Sequence, residues 1–242
     1  MIQRILIIAL LIHTACGTGS HSSKSSEIEK EKPTKIKYLA LGDSYTIGES
    51  VAREYSFPYQ LSHVLQSANY ALEQPTIIAK TGWRTDQLIA ATKEKELPKE
   101  FQLVSILIGV NNQYQSKPIK IYKQELTQII ELAESLCIHG KKGLFMMSIP
   151  DYGVTPFAKN KNPRKISIEI KQYNELAREI AKEHGIPFYD ITPISQKART
   201  DLSLIAEDNL HPSAKMYKLW VSEIREKVIQ DILLPNGYKH SK

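Results

Sequence analysis

Cysteine is scarce in this chain. Two residues, Cys16 and Cys137, among 242 cannot build a disulfide framework or a structural zinc site. No HExxH pair occurs, and no glycine-rich loop of the GxxxxGK or GxGxxG kind, which excludes a zincin-type centre and those phosphate cradles. The longest apolar run, residues 5–12, is eight residues, too short for a helix that crosses a bilayer. Charge of one sign is not abundant either: 32 Lys+Arg against 26 Asp+Glu leave +6, with acids and bases interleaved. That excess is too mild to imply a nucleic-acid partner. Eleven Gly and twelve Pro show no period, so a collagen-like array is excluded. What remains, 42% hydrophobic and 24% charged residues, is the makeup of a globular protein with a sizeable core.

Residues 1–15 read as a signal peptide, with Arg4 ahead of the apolar run and small residues at its close. The segment His13-Thr14-Ala15-Cys16-Gly17 resembles a bacterial lipoprotein signal, in which small residues precede a cysteine that becomes N-terminal and lipid-modified. His13 stands where such signals usually carry Leu. The resemblance implies lipidation of Cys16, export, and anchoring on a membrane facing the periplasm or cell surface; two or more acyl chains give stable attachment where one does not. Residues 16–35 are rich in Ser, Lys and Glu with almost no apolar side chain, and are expected to form a flexible tether. A folded domain over 36–234 and a C-terminal tail over 235–242 complete the expected organisation.

Beyond Pro33, short apolar runs alternate with helical patterns. Strands are expected at 36–41, 76–79, 101–108, 144–149 and 186–189. The third, FQLVSILI, is apolar nearly throughout, as a strand covered on both faces should be. Helices are expected at 57–68 and 85–93, along the stripe Ile119, Tyr122, Leu126, Ile129, Ile130, Ala133 and Leu136, along a second stripe from Ile166 to Ile180, and from about Ser213 onward. Strands alternating with long helices predict an α/β fold with a five-stranded parallel sheet and helices on both faces. Ligands in such folds bind beyond the carboxyl ends of the strands.

The residues at those ends are chemically informative. Gly42-Asp43-Ser44 follows the first strand, Thr81-Gly82-Trp83 the second and Gly109-Val110-Asn111-Asn112 the third; Asp208-Asn209-Leu210-His211 precedes the last helix. A serine hydroxyl becomes a useful nucleophile when an imidazole takes its proton, and the imidazole needs its other N–H held by an acid. Ser44, His211 and Asp208 supply those roles. The backbone N–H groups of Ser44 and Gly82 and the side-chain amide of Asn111 are candidate oxyanion donors. Taken singly, each is an ordinary structural residue: Asp43-Ser44 a helix cap, Asn111 a turn residue, His211-Pro212 a helix start. Their joint occurrence at one edge of one sheet favours acyl transfer.

These four blocks resemble those of the SGNH, or GDSL-type, hydrolases, with Ser44, Gly82, Asn111 and His211 in the family's order and Asp208 in its DxxH block. The resemblance spans nearly all of the chain beyond residue 36. It implies a three-layer α/β/α flavodoxin-like sandwich and ester or thioester hydrolysis through an acyl-enzyme, without cofactor or metal. The continuation Tyr45-Thr46-Ile47-Gly48 is similar to the lysophospholipase-like branch. One departure is that Asn112 stands where the family usually has Asp; Asn keeps size and hydrogen-bonding capacity but not charge, so activity is expected to survive.

Trp83 and Arg84 are candidate substrate-binding residues, Arg84 for a carboxylate or phosphate, with Trp83 packing on the sheet as the equal alternative. The stretch 150–165 is expected to be a long loop, more simply solvated than functional, although it leaves a strand end. Cys137 reads as a buried thiol, and His63, His139 and His184 as structural. The expected function is a serine-dependent carboxylic ester hydrolase acting on lysophospholipid-like or other small acyl esters. A carbohydrate O-acetyl esterase or acyltransferase, and a surface lipoprotein that binds such a ligand without cleaving it, are the competing readings. The expected partners are a small acyl-ester substrate and a membrane, with no nucleic acid; the oligomeric state is left open.

Overall fold

The apolar runs become five parallel strands: β1 (Tyr38–Gly42), β2 (Thr76–Ala79), β3 (Leu103–Leu107), β4 (Leu144–Met147) and β5 (Phe188–Tyr189). This computed structural model describes residues 35–239, so the expected signal peptide over 1–15, Cys16 and all but the last residue of the expected tether lie outside the described residues. Every residue of β1, β3 and β4 is buried, which is what helices on both faces demand of a central strand. β2, at one edge, is half exposed.

The strand order is β2-β1-β3-β4-β5, the flavodoxin-like order whose topological switch point lies between β1 and β3. Register sharpens this. Gly42 pairs with Ala79 on one side and with Leu107 on the other, so β1, β2 and β3 end level and release their loops at one rim. Gly42 is required there by space: a Cβ would lie 2.0 Å from Thr46 Oγ1 and 2.4 Å from the Leu107 carbonyl oxygen.

Among the described residues, eight α-helices accompany the strands: α1 (Ser44–Ile47), α2 (Phe57–Ser67), α3 (Thr85–Glu94), α4 (Val110–Tyr114), α5 (Ile119–Leu136), α6 (Pro163–Glu183), α7 (Thr192–Gln196) and α8 (Ala214–Val228). Their packing groups α2 with α8, and α3 and α6 each with α5, giving three layers, α/β/α. The five long helices stand where their apolar stripes place them, each burying that stripe: α5 buries Tyr122, Leu126, Ile129, Ile130, Ala133 and Leu136. The short α1, α4 and α7 carry no such signal, because four or five residues are too few to display a 3.6-residue period. No helix among the described residues is long and apolar enough to cross a membrane.

Two boundaries differ from expectation. The loop over 150–165 ends early, since Asn162 caps α6 through Oδ1, which accepts the Lys165 N–H at 3.1 Å, and Pro163 takes the first helical position. An Asn-Pro pair is a helix start. Nor do residues 235–239 of the expected C-terminal tail stand apart from the domain. Asn236 donates to the Lys142 carbonyl at 2.9 Å, and the Tyr238 hydroxyl lies 2.9 Å from His139 Nε2, so the fold runs on to at least Tyr238.

Candidate active site

The site is built where β1 and β3 part. Asp43 ends the first strand's turn and caps α1, its Oδ1 accepting the Tyr45 N–H at 3.0 Å. Ser44 follows as the first residue of α1, only 4% exposed. The opposing loop, between a 3-10 turn at Leu202–Leu204 and α8, carries Asp208 and His211. Here Asp208 Oδ1 accepts the N–H groups of Leu210 and His211, each at 2.9 Å, and Asn209 takes φ 65°, a conformation Asn tolerates. The tight turn brings the His211 ring back over its own acid.

The three side chains form a continuous chain of hydrogen bonds. His211 Nδ1 lies 2.5 Å from Asp208 Oδ2, and His211 Nε2 lies 2.9 Å from Ser44 Oγ. With Nδ1 protonated and donating to the carboxylate, Nε2 is left as the acceptor for the serine hydroxyl. The Tyr45 ring meets the imidazole edge-on, centroids 5.5 Å apart, and restricts its rotation. Partial burial works against the Asp208 charge, but hydrogen bonds from the Ser50 hydroxyl, the His211 side chain and the two backbone N–H groups outweigh it and hold the carboxyl at about 2. It is therefore an anion at neutral pH.

Gly82 lies in a turn closed by the Trp83 N–H onto the Lys80 carbonyl at 3.2 Å, with φ 81°. Positive φ at the third position is the mark of a type II turn and the reason for glycine. A Cβ at Gly82 would meet no protein atom within 4 Å, so backbone conformation rather than protein crowding demands glycine, and any side chain would project into open space. The turn leaves the Gly82 N–H unused, and the Ser44 N–H is likewise unengaged in the described hydrogen bonds. Asn111 points its amide the same way, donating one N–H to the Trp83 carbonyl at 2.9 Å, with the second N–H left for a ligand.

Ser44, Gly82, Asn111 and His211 line one cleft of about 230 Å³, completed by Tyr45, Thr81, Val110, Tyr114, Tyr152, Phe157 and Leu210. The rest of the lining is thus largely aromatic and aliphatic. Tyr152 and Phe157 come from the stretch 150–165, for which a solvated loop is the simpler expectation and a place at the cleft the alternative; it coils into two 3-10 turns, Tyr152–Val154 and Pro156–Ala158, and borders the cleft. The Phe157 N–H is tied to the Asn209 carbonyl at 3.0 Å, and the Tyr152 hydroxyl donates to Gln113 Oε1 at 2.8 Å. Lys161 sits at the rim, its Nζ 4.7 Å from the Phe157 ring centroid and 5.3 Å from that of Tyr114.

Trp83 and Arg84 do not line this cleft. Trp83 packs partly buried against the core, its carbonyl serving Asn111. Arg84 is engaged by both oxygens of Asp86, at 2.9 and 2.7 Å, and by Gln115 Oε1 at 2.7 Å, so its guanidinium is occupied by its own helix and the end of α4. Cys137 is a buried thiol, raised above its ordinary value by that burial. His63 is exposed on α2 and His184 ends α6. Among the described residues no group of three or more His, Cys, Asp or Glu side chains is arranged to hold a metal ion.

Asn112, the departure from the usual block, is 1% exposed. Its Oδ1 accepts the Thr85 N–H at 3.1 Å and its Nδ2 donates to Thr85 Oγ1 at 2.6 Å. Together, Asn111 and Asn112 lock the loop after β3 to the turn after β2. The loop and the turn hold each other in place. Sequence alone carries no sign of Ser50, Thr85 or Glu125 in this network, because each acts through a partner at least 27 positions away.

The fold has counterparts among solved structures. A crystal structure of a lipase/acylhydrolase from Enterococcus faecalis superposes with a TM-score of 0.63 at 19% identity, over 86% of this chain and 99% of that one. An acetyl xylan esterase, AlAXEase, gives 0.63 at 16% identity over 80% and 100%. The esterase EstA from Pseudoalteromonas sp. gives 0.60 at 18% over 81% and 98%. No curated protein sequence matches the chain. The model of the GDSL-like lipase/acylhydrolase family matches residues 40–219, a stretch that includes all four blocks, and the chain therefore belongs to this family of ester-bond hydrolases.

Proposed function

We propose that the protein is a serine-dependent carboxylic ester hydrolase that works through an acyl-enzyme on small acyl esters. The observation that carries this reading is the chain Asp208–His211–Ser44, at 2.5 and 2.9 Å, opening into an apolar cleft. Ser44 Oγ attacks the acyl carbonyl while its proton passes to His211 Nε2. The oxyanion meets the N–H groups of Ser44 and Gly82 and the Asn111 amide. The C–O bond to the alcohol then breaks, and the imidazolium returns its proton to the departing oxygen. Water, deprotonated by the same imidazole, attacks the acyl-enzyme and frees the acid.

At about 230 Å³ the cleft is smaller than the roughly 300–1,000 Å³ of most small-molecule sites, which supports a short acyl chain. A carbohydrate O-acetyl ester is the second reading, favoured by Tyr114, an aromatic side chain 48% exposed at the cleft where a sugar ring can stack. A lysophospholipid-like ester requires the longer chain to leave the cleft past Lys161. Acyl esters of increasing chain length, each assayed with wild type and Ser44→Ala, test the proposal. Hydrolysis is expected to depend on Ser44 and to favour short chains, and equal turnover by Ser44→Ala ends it. Absence of labelling by a fluorophosphonate in well-folded protein supports the non-catalytic binder instead. Lipid anchoring through Cys16 belongs to the same proposal, supported by the segment around it, and is tested by loss of membrane attachment in Cys16→Ser.

A further inference from the structure

Two residues of the loop after α1 reach opposite sides of the site. Gly48 closes α1 at φ 78°, and the Val51 N–H returns to its carbonyl at 3.2 Å. Between them, the Glu49 carboxylate accepts the Thr81 hydroxyl, on the turn that presents Gly82. Ser50 Oγ donates to Asp208 Oδ2 at 2.6 Å, the same oxygen that takes the His211 Nδ1–H. To do so, Ser50 holds φ 66°, a left-handed backbone that residues with a Cβ adopt against a steric penalty. Glycine would be the default there if only the turn mattered.

We infer that Ser50 is a positioning residue of the reaction, holding the Asp208 carboxylate in the orientation that aims His211 at Ser44, and that residues 48–51 tie the acid and the oxyanion turn into one piece. This inference rests on the hydrolase reading above. The chemistry favours it. A carboxylate has about four lone-pair directions, and here Leu210 N–H, His211 N–H, His211 Nδ1–H and Ser50 O–H occupy them. Remove the hydroxyl and Oδ2 keeps the imidazole alone to hold it, so the carboxylate is less firmly oriented, while its charge concentrates on the oxygen facing the imidazole. The first effect slows proton transfer; the second stabilises the imidazolium, so the base stays protonated to higher pH.

Strain lets a structural role be told from a positioning one. Ser50→Gly relieves the backbone at φ 66° and deletes the hydroxyl, so the variant is expected to fold at least as stably as wild type. If Ser50 positions Asp208, kcat for an activated short-chain ester falls roughly tenfold, as loss of a hydrogen bond to a charged group predicts, KM is little changed, and the acid limb of the kcat/KM profile moves to higher pH. Ser50→Ala should show the same kinetic signature with lower stability. Wild-type kcat in Ser50→Gly, or a fall in kcat with the acid limb unmoved, overturns the inference. Wild-type protein inert toward every ester fails the hydrolase reading itself, which is a different result.

Discussion

Asn112 Nδ2 lies 2.6 Å from Thr85 Oγ1, and the direction of that hydrogen bond is forced by a third residue. The Thr85 hydroxyl has one proton, and it goes to the Glu125 carboxylate. Thr85 must therefore accept from residue 112, which an amide can satisfy and a carboxylate cannot. The departure from Asp at this position is matched to Glu125.

Asn112→Asp, which restores the family's usual residue, is accordingly expected to destabilise the protein by about 1–3 kcal/mol, since one of two carboxylates loses its donor in a mostly buried site. Glu125→Gln in the same chain should recover much of the loss, because a side-chain amide can donate to Thr85 and free the hydroxyl proton for the carboxylate introduced at position 112. Thermal melts of the two single variants and the double variant give the coupling. Additive losses would show that the three side chains do not act as a unit.

Asn111→Ala removes one oxyanion donor and is expected to lower kcat by roughly 10²–10³-fold with a small effect on KM. Part of that loss is indirect, because the Trp83 carbonyl loses its partner. Steady-state kinetics on an activated acetyl ester measure both constants, and a selective rise in KM would assign Asn111 to substrate binding instead.

Gly82→Ala places a Cβ at φ 81° and is expected to cost about 1–2 kcal/mol of stability. The new methyl meets no protein atom but intrudes on the cleft, so activity should fall further than stability alone explains. Comparing the melting temperature with kcat/KM separates the two; a variant with unchanged kcat/KM would remove Gly82 from the oxyanion site.

Asp43 has a buried carboxyl whose Oδ2 lacks a partner. Burial pushes it up to about 7, against the lowering effect of the Tyr45 N–H. Because the folded value lies above the unfolded value of about 4, the folded protein binds this proton more tightly. Its stabilising contribution is full below pH about 4 and is lost as pH rises through about 7. Asp43→Asn should melt at the wild-type temperature near pH 4 and be more stable at pH 8, by about 1–3 kcal/mol. Parallel melting curves at both pH values would refute the assignment.

Phe157 and Tyr114 face each other at 6.2 Å in the cleft wall. Phe157→Ala opens that wall and should move the preferred acyl chain to greater length, by up to about fourfold in kcat/KM for each methylene newly buried. The ratio of butyryl to acetyl ester turnover reads this directly, and an unchanged ratio would place the acyl chain elsewhere.

Much of this architecture is written locally. FQLVSILI, the stripe from Ile119 to Leu136 and the helix start at Ser213 each announce an element through a pattern confined to a few turns. The site blocks were legible for a related reason: a nucleophile, an oxyanion turn and a DxxH loop each occupy two to four adjacent residues. What could not be read acts across the chain. Ser50 meets Asp208 at a separation of 158 positions, and Thr85 meets Glu125 at 40. Neither residue type is unusual where it stands. The cleft role of Tyr152 and Phe157 was hidden because a loop rich in charge looks the same whether it coils back over a site or extends into water. Arg84 misled for the converse reason, since its nearest acid, Asp86, lies only two residues on.

The base and the nucleophile are 167 residues apart, one just before the last long helix and the other just after the first strand. The 2.9 Å contact between them therefore exists only once the loop before α8 has packed against the loop after β1. Closing a loop of that length is entropically costly, so recovery of turnover after dilution from denaturant should trail the return of helical signal, which local contacts supply first.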